Sequence, residues 1–161
     1  MNTRPYKHQP ARTRILAILA AVLVPAFLGA AAPAAASQRW ATLEAIHLLE
    51  NPYDSARPGS LGELGAYQFR EETWRMHTSA PFSLALDRRV SDAVAVKHYD
   101  WLKGELERRG LQATPFKIAL AWNGGLGTAL AGRPAPSAVD YATRVANLAA
   151  QFQHRELAYA P

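Results

Sequence analysis

The sequence predicts a mainly α-helical domain behind a secretory leader, and three observations lead there. Apolar residues return at three- and four-residue steps in successive segments between positions 39 and 152, the spacing of one helical face. No alternating strand pattern of comparable length occurs in the chain. Apart from Gly104, the glycines and prolines of this region fall between these segments or in their first turns, where they punctuate structure and do not interrupt it.

With 161 residues the chain has room for one domain, and residues 1–36 read as a segment apart from it. Residues 1–14 carry Arg4, Lys7, Arg12 and Arg14 and no acid, residues 15–32 are almost wholly apolar, and Pro33-Ala34-Ala35-Ala36 supplies the small residues of a signal-peptidase site. The expected domains are therefore a signal peptide at 1–36 and a helical domain at 37–161, secreted or periplasmic. An uncleaved anchor is the competing reading, since residues 15–36 are long enough to cross a hydrocarbon layer of roughly 30 Å. Pro25 and the alanine-rich end favour cleavage.

Charge and cysteine content exclude several classes of function. Of the 18 Lys and Arg four lie in the leader, which leaves 14 against 13 Asp and Glu. So nearly neutral a domain has no basic footprint for nucleic acid. With no cysteine, thiolate metal sites and cysteine nucleophiles are ruled out, and His47, His77, His98 and His154 show no HExxH spacing. No cofactor or metal site is expected.

The first helix of the domain is read from Trp40, Leu43, Ile46, His47 and Glu50, which share one face. Pro52, Pro58 and Gly59 end it in a loop, with room for a short β-hairpin within residues 53–66. A short helix follows at 69–77, and a longer one is expected from Ser91 as N-cap to Arg109, with Gly110 just past its end and Val96, Tyr99, Leu102 and Leu106 as its stripe. Thr114-Pro115 is a cap and first-turn pair opening a helix striped by Phe116, Ala119, Leu120 and Asn123, which Gly124-Gly125 stop. After a loop through Gly132, Pro134 and Pro136, Ser137 with Asp140 three residues on begins the last helix, striped by Tyr141, Val145, Leu148 and Phe152.

Three polar residues thus stand on apolar stripes of separate helices: Glu50, Asn123 and Tyr141. Stripes face a common core, so a carboxyl, an amide and a phenol are expected to converge where helix ends meet. A carboxyl so placed is desolvated and holds its proton to higher pH, as a general acid must. The plainer alternatives are a Glu50 paired with Arg57 or Arg70, an Asn123 that only caps its helix, and a Tyr141 that only packs.

In order, the chain holds Glu50, then Gly62-Glu63-Leu64-Gly65-Ala66-Tyr67-Gln68, then Ala121-Trp122-Asn123-Gly124-Gly125, then Tyr141-Ala142-Thr143-Arg144-Val145. This series resembles the goose-type lysozyme and soluble lytic transglycosylase superfamily. There, a helix ends in the catalytic Glu, and Gly-x-x-Gly-x-x-Gln, Ala-Tyr-Asn-x-Gly and Tyr-x-x-Arg-Val follow. The chain departs in having Asn51 where the transglycosylases usually have Ser, Trp122 for Tyr, and Tyr67 for Met.

The resemblance implies a lysozyme-like fold that cleaves the β-1,4 bond between N-acetylmuramic acid and N-acetylglucosamine in peptidoglycan, with Glu50 as general acid/base. It implies that Gln68, Tyr67, Trp122, Asn123 and Tyr141 bind or orient the substrate. Ordinary glycosidases use two carboxylates, and Glu63 and Asp54 are the candidates for the second. If neither serves, the reaction is a lytic transglycosylation to a 1,6-anhydro sugar; if one does, it is hydrolysis as in a lysozyme. A peptidoglycan-binding module of the same fold without catalysis is the remaining alternative. The partner implied is a glycan strand, with no nucleic acid, no stable membrane contact once the leader is removed, and a monomeric protein.

Overall fold

The computed structural model describes Met1 and residues 31–158, and it is mainly helical. The elements are α1 (Ala31–Glu50), α2 (Glu71–His77), a 3-10 turn (Phe82–Leu86), α3 (Arg88–Glu107), α4 (Pro115–Gly124), α5 (Leu126–Ala131) and α6 (Pro136–Ala158). Most of the proposed leader, and so most of the question of cleavage or anchoring, lies outside the described residues. Within them, no helix is long and apolar enough to cross a membrane.

The core sits where α1 and α4 pack on α6, with α3 closing over α1 and α4. On α1 the fully buried residues are Ala41, Thr42, Ala45 and Ile46, with Leu43 beside them, and Thr42 satisfies its hydroxyl by donating to the Gln38 carbonyl at 2.7 Å. On α6 the buried row is Ala138, Ala142, Val145 and Ala149. The stripe of Tyr141, Leu148 and Phe152 expected to be buried is only half-buried there. Small side chains let α4 and α6 approach closely, and the larger residues flank that contact.

Helix boundaries follow local chemistry. Thr114 accepts from the Lys117 amide at 3.3 Å and Pro115 takes the first turn, as expected. Gly110, at φ 71°, ends α3 with Gly110 N–H on the Glu107 carbonyl and Leu111 N–H on that of Leu106, a Schellman pair.

The N-cap of α3 is a correction: it is Asp87, whose carboxylate accepts from the Val90 amide at 3.0 Å, and not Ser91. A carboxylate is the stronger acceptor there and also meets the positive end of the helix dipole. Ser91 is instead buried in the second turn with its hydroxyl unpartnered. Two further boundaries differ. The last helix begins at Pro136, with amides bonded to the Ala135 carbonyl, so Ser137 and Asp140 lie inside it. Residues 126–131 form α5 where a loop was expected, because Gly125 at φ 82° turns the chain and a helix restarts at once.

Between α1 and α2 the chain is irregular, with a single antiparallel bridge between Leu64 and Phe69. Phe69 is thereby extended, and α2 starts two residues later than expected. This return segment is anchored at Gly65, whose carbonyl accepts from the Gln68 amide (3.1 Å), the Gln68 side chain (3.0 Å) and Asn51 Nδ2 (3.2 Å). Asn51, buried directly after Glu50, also pairs both ways with the Ser55 backbone at 2.9 Å. Gly65 itself has φ 77°, and a Cβ there would lie 1.8 Å from the Ala85 carbonyl oxygen of the 3-10 turn.

Two glycines three residues apart therefore make different predictions. Gly62 has φ 82° with nothing within 4 Å of a Cβ, so Gly62→Ala costs only the left-handed backbone penalty of about 1–2 kcal/mol. Gly65→Ala adds a backbone collision and costs on the order of 3 kcal/mol or more. Urea unfolding of the two variants checks the order; equal midpoints would contradict it.

Candidate active site

A cleft of about 340 Å³ opens at the C-terminal end of α1, within the range of small-molecule sites. Glu50 reaches it from α1, Gly59, Ser60 and Glu63 from the loop, and Gln68, Phe69 and Arg70 from the return segment. Thr73 of α2, His98 of α3, and Trp122 and Asn123 of α4 complete it.

Glu50 is the last residue of α1 and half-buried. Its Oε1 accepts a hydrogen bond from the Tyr141 hydroxyl at 2.7 Å, which ties the end of the first helix to the first turns of the last. Burial pushes the Glu50 carboxyl above the ordinary value of 4.5; the Tyr141 hydrogen bond opposes this, and the neighbouring Glu63 adds to it. The partial negative charge at a helix C-terminus acts in the same upward sense. Tyr141 is held well above the usual phenol range by burial and by Glu50, so it stays a donor. The result is a carboxyl that keeps its proton to higher pH, oriented by a phenol, at the wall of an open cleft.

Glu63 is aimed by its own loop: its Oε2 accepts from the Leu61 amide at 2.8 Å and its carbonyl from the Gly59 amide at 2.9 Å. A Cβ on Gly59 would come within 2.4 Å of that Oε2, so a side chain there would displace the carboxylate from this position. Gln68 lines the cleft from a left-handed backbone, φ 46°, uncommon for a residue with a side chain. Its amide nitrogen is held by Gly65, so the structural bond and the cleft position coexist.

The expected residues are not all brought together. Glu50, Glu63, Gln68, Trp122 and Asn123 line the cleft, and Tyr141 stands behind Glu50. Tyr67 does not reach it: the residue is 3% exposed, its hydroxyl donates to Asp92 at 2.8 Å, and its ring backs Trp122 and Phe69. It cannot offer a free face to a sugar.

Asp54 is also turned away. Its carboxylate meets His47 Nε2 at 3.0 Å and Arg88 at 3.6 Å, and Arg88 further pairs with Asp92 at 2.7 Å and Glu44 at 3.4 Å. This network reaches a second hollow, which its Glu44, Arg88 and Asp92 line together with Trp40 and Tyr67. It also occupies both ring nitrogens of His47, which was expected to sit near Glu50 on the same helical face.

Sequence reading missed His98, Thr73 and Arg70 in the cleft. For His98 a signal existed, since it falls at i+4 from Val94 and i−4 from Leu102, in the stripe of α3 that faces the core. No protein-family model and no curated protein matches the chain.

The raised Glu50 carboxyl fixes the sign of a pH effect. Below about pH 4.5 the group is protonated both folded and unfolded; as pH rises the unfolded chain ionises first, so the native state loses stability up to the raised folded value and stays penalised above it. Glu50→Gln removes this penalty and keeps an acceptor for Tyr141. The variant is expected to be more stable than the parent at about pH 8, with the gap closing toward pH 4. Thermal unfolding across that range checks it, and a gap that widens in acid would contradict it.

Proposed function

We propose that this protein cleaves the glycan strand of peptidoglycan at the bond between N-acetylmuramic acid and N-acetylglucosamine, as a lytic transglycosylase with a lysozyme-like fold. The observation that carries the reading is the half-buried Glu50 carboxyl, bonded by Tyr141 at 2.7 Å and lining a cleft made from four helices and the segment between α1 and α2. In this mechanism the Glu50 acid gives its proton to the glycosidic oxygen as the C1–O bond breaks. The substrate's 2-acetamido group supports the developing charge at C1. The Glu50 carboxylate then takes the proton of the muramic C6 hydroxyl as that oxygen closes on C1, which yields a 1,6-anhydro end and consumes no water.

Gln68, Asn123 and Trp122 would hold sugar groups along the cleft wall, and Tyr141 would keep the Glu50 carboxyl aimed in both protonation states. Such a protein would act outside the cytoplasm, on a peptidoglycan glycan strand.

Hydrolysis is the second reading, and Glu63 favours it: its carboxylate lines the same cleft and acts electrostatically on Glu50. A base for water needs such a position.

Mass analysis of muropeptides after digestion separates these, because anhydro and reducing ends differ by one water. The expected result is anhydro product, lost by at least about a hundredfold in Glu50→Gln and kept in Glu63→Gln. Reducing ends that vanish in Glu63→Gln would establish the hydrolase. Strand binding with no product would leave a binding module of the same fold.

A further inference from the structure

His98 stands in the cleft wall under unusual constraint. It is 7% exposed, its ring is stacked on Trp101 with centroids 5.6 Å apart, and it meets Trp122 in a T-shaped contact with centroids 4.7 Å apart. Its Nδ1 lies 2.9 Å from Nε2 of His77 on α2. Two indoles and a second imidazole therefore hold the ring in one place.

Both rings are neutral near pH 7. Burial pushes His98 down to about 3, with His77 adding to the effect, and burial followed by the Lys97 cation lowers His77. A hydrogen bond between neutral imidazoles has one N–H and one lone pair. Whichever ring donates, the state of His98 Nε2 follows: it carries a proton when His77 donates, and a lone pair when His98 does.

That Nε2 has no hydrogen-bond partner among the described residues. The buried polar side-chain atom left unpaired among them is Ser91 Oγ, not Nε2, so Nε2 keeps an opening, and the space that His98 lines is the cleft. A histidine kept only for packing would need neither nitrogen placed there.

We infer that His98 is a sugar-recognition residue, whose Nε2 hydrogen-bonds an acetamido or hydroxyl group of an N-acetylhexosamine unit in the cleft, and that His77 positions the ring. The inference rests on the glycan-cleaving reading above and names a contact within it. A neutral nitrogen able to donate or accept suits the uncharged amide and hydroxyl groups of such a sugar.

The test uses protein labelled with 15N-histidine and carrying Glu50→Gln to prevent turnover, titrated with the trimer of N-acetylglucosamine. The His98 Nε2 resonance, assigned from its loss in His98→Gln, is expected to shift as the trimer binds. His98→Phe keeps the aromatic packing and removes the nitrogen, and is expected to weaken binding about three- to tenfold, the share of one neutral hydrogen bond. His98→Gln, which carries an amide to the same place, is expected to stay within about twofold of the parent.

A resonance that does not move on binding, unchanged affinity in His98→Phe, or no binding of the trimer would each overturn the inference. Should His98→Phe fail to fold, the resonance and His98→Gln decide. Muropeptide release by the unsubstituted protein is measured separately: release without a His98 effect removes this contact alone, and trimer binding through His98 without release removes the glycosidase reading alone.

Discussion

The phenol of Tyr141 donates to the carboxyl of Glu50 across 91 residues of chain, and that contact joins the end of the first described helix to the start of the last. Its position depends on the close packing of α1 and α4 on α6, which the alanine row Ala138, Ala142 and Ala149 allows. It also sets the chemistry of the site. Burial alone would push the carboxyl further up, and the phenol pulls it partly back while fixing its direction. In the proposed mechanism this group gives a proton and then takes one, which needs both effects, since neither a freely ionised nor a permanently neutral carboxyl can do both steps near neutrality.

Everything else at the cleft is arranged around the return of the chain after Glu50. The Gly65 carbonyl gathers three donors from Asn51 and Gln68, and the absence of a side chain on Gly65 lets the segment lie against the 3-10 turn. From that anchor Gln68 and Glu63 face the cleft, while Tyr67 points to the other side of the same segment. The Arg88 network with Glu44, Asp54 and Asp92 secures that other side. One segment thus separates the acid pair of the cleft from the ionic brace around Arg88.

Much of this was legible in the residue pattern, and what was not has physical causes. Helix stripes and local caps report on short-range forces, so the Leu43 to Glu50 part of α1, the Thr114-Pro115 start, the Gly110 stop and the convergence of Glu50 with Tyr141 could be read from spacing, whereas Trp40, expected on the same stripe, is 51% exposed and α1 starts at Ala31. Choices made by tertiary packing could not. Asp54 and Glu63 are equivalent as loop acids until Arg88, 34 residues beyond Asp54, claims one of them. Tyr67 is a candidate platform until Asp92 and Trp122 enclose it. On α6 the large residues drew attention, yet the alanines are buried, because helix approach rewards small side chains. A single buried histidine on α3 reads as core until its neighbour, His77 on another helix, is known.

The most direct test of this account is the titration of the Glu50 carboxyl itself, followed by carbon NMR in the protein and in Tyr141→Phe. The carboxyl is expected to titrate above the ordinary 4.5 in the parent protein and higher still once the phenol hydroxyl is gone. A Glu50 that titrates at or below that value, or one that Tyr141→Phe leaves unmoved, would contradict the claim that burial and Tyr141 together hold a proton at the mouth of this cleft.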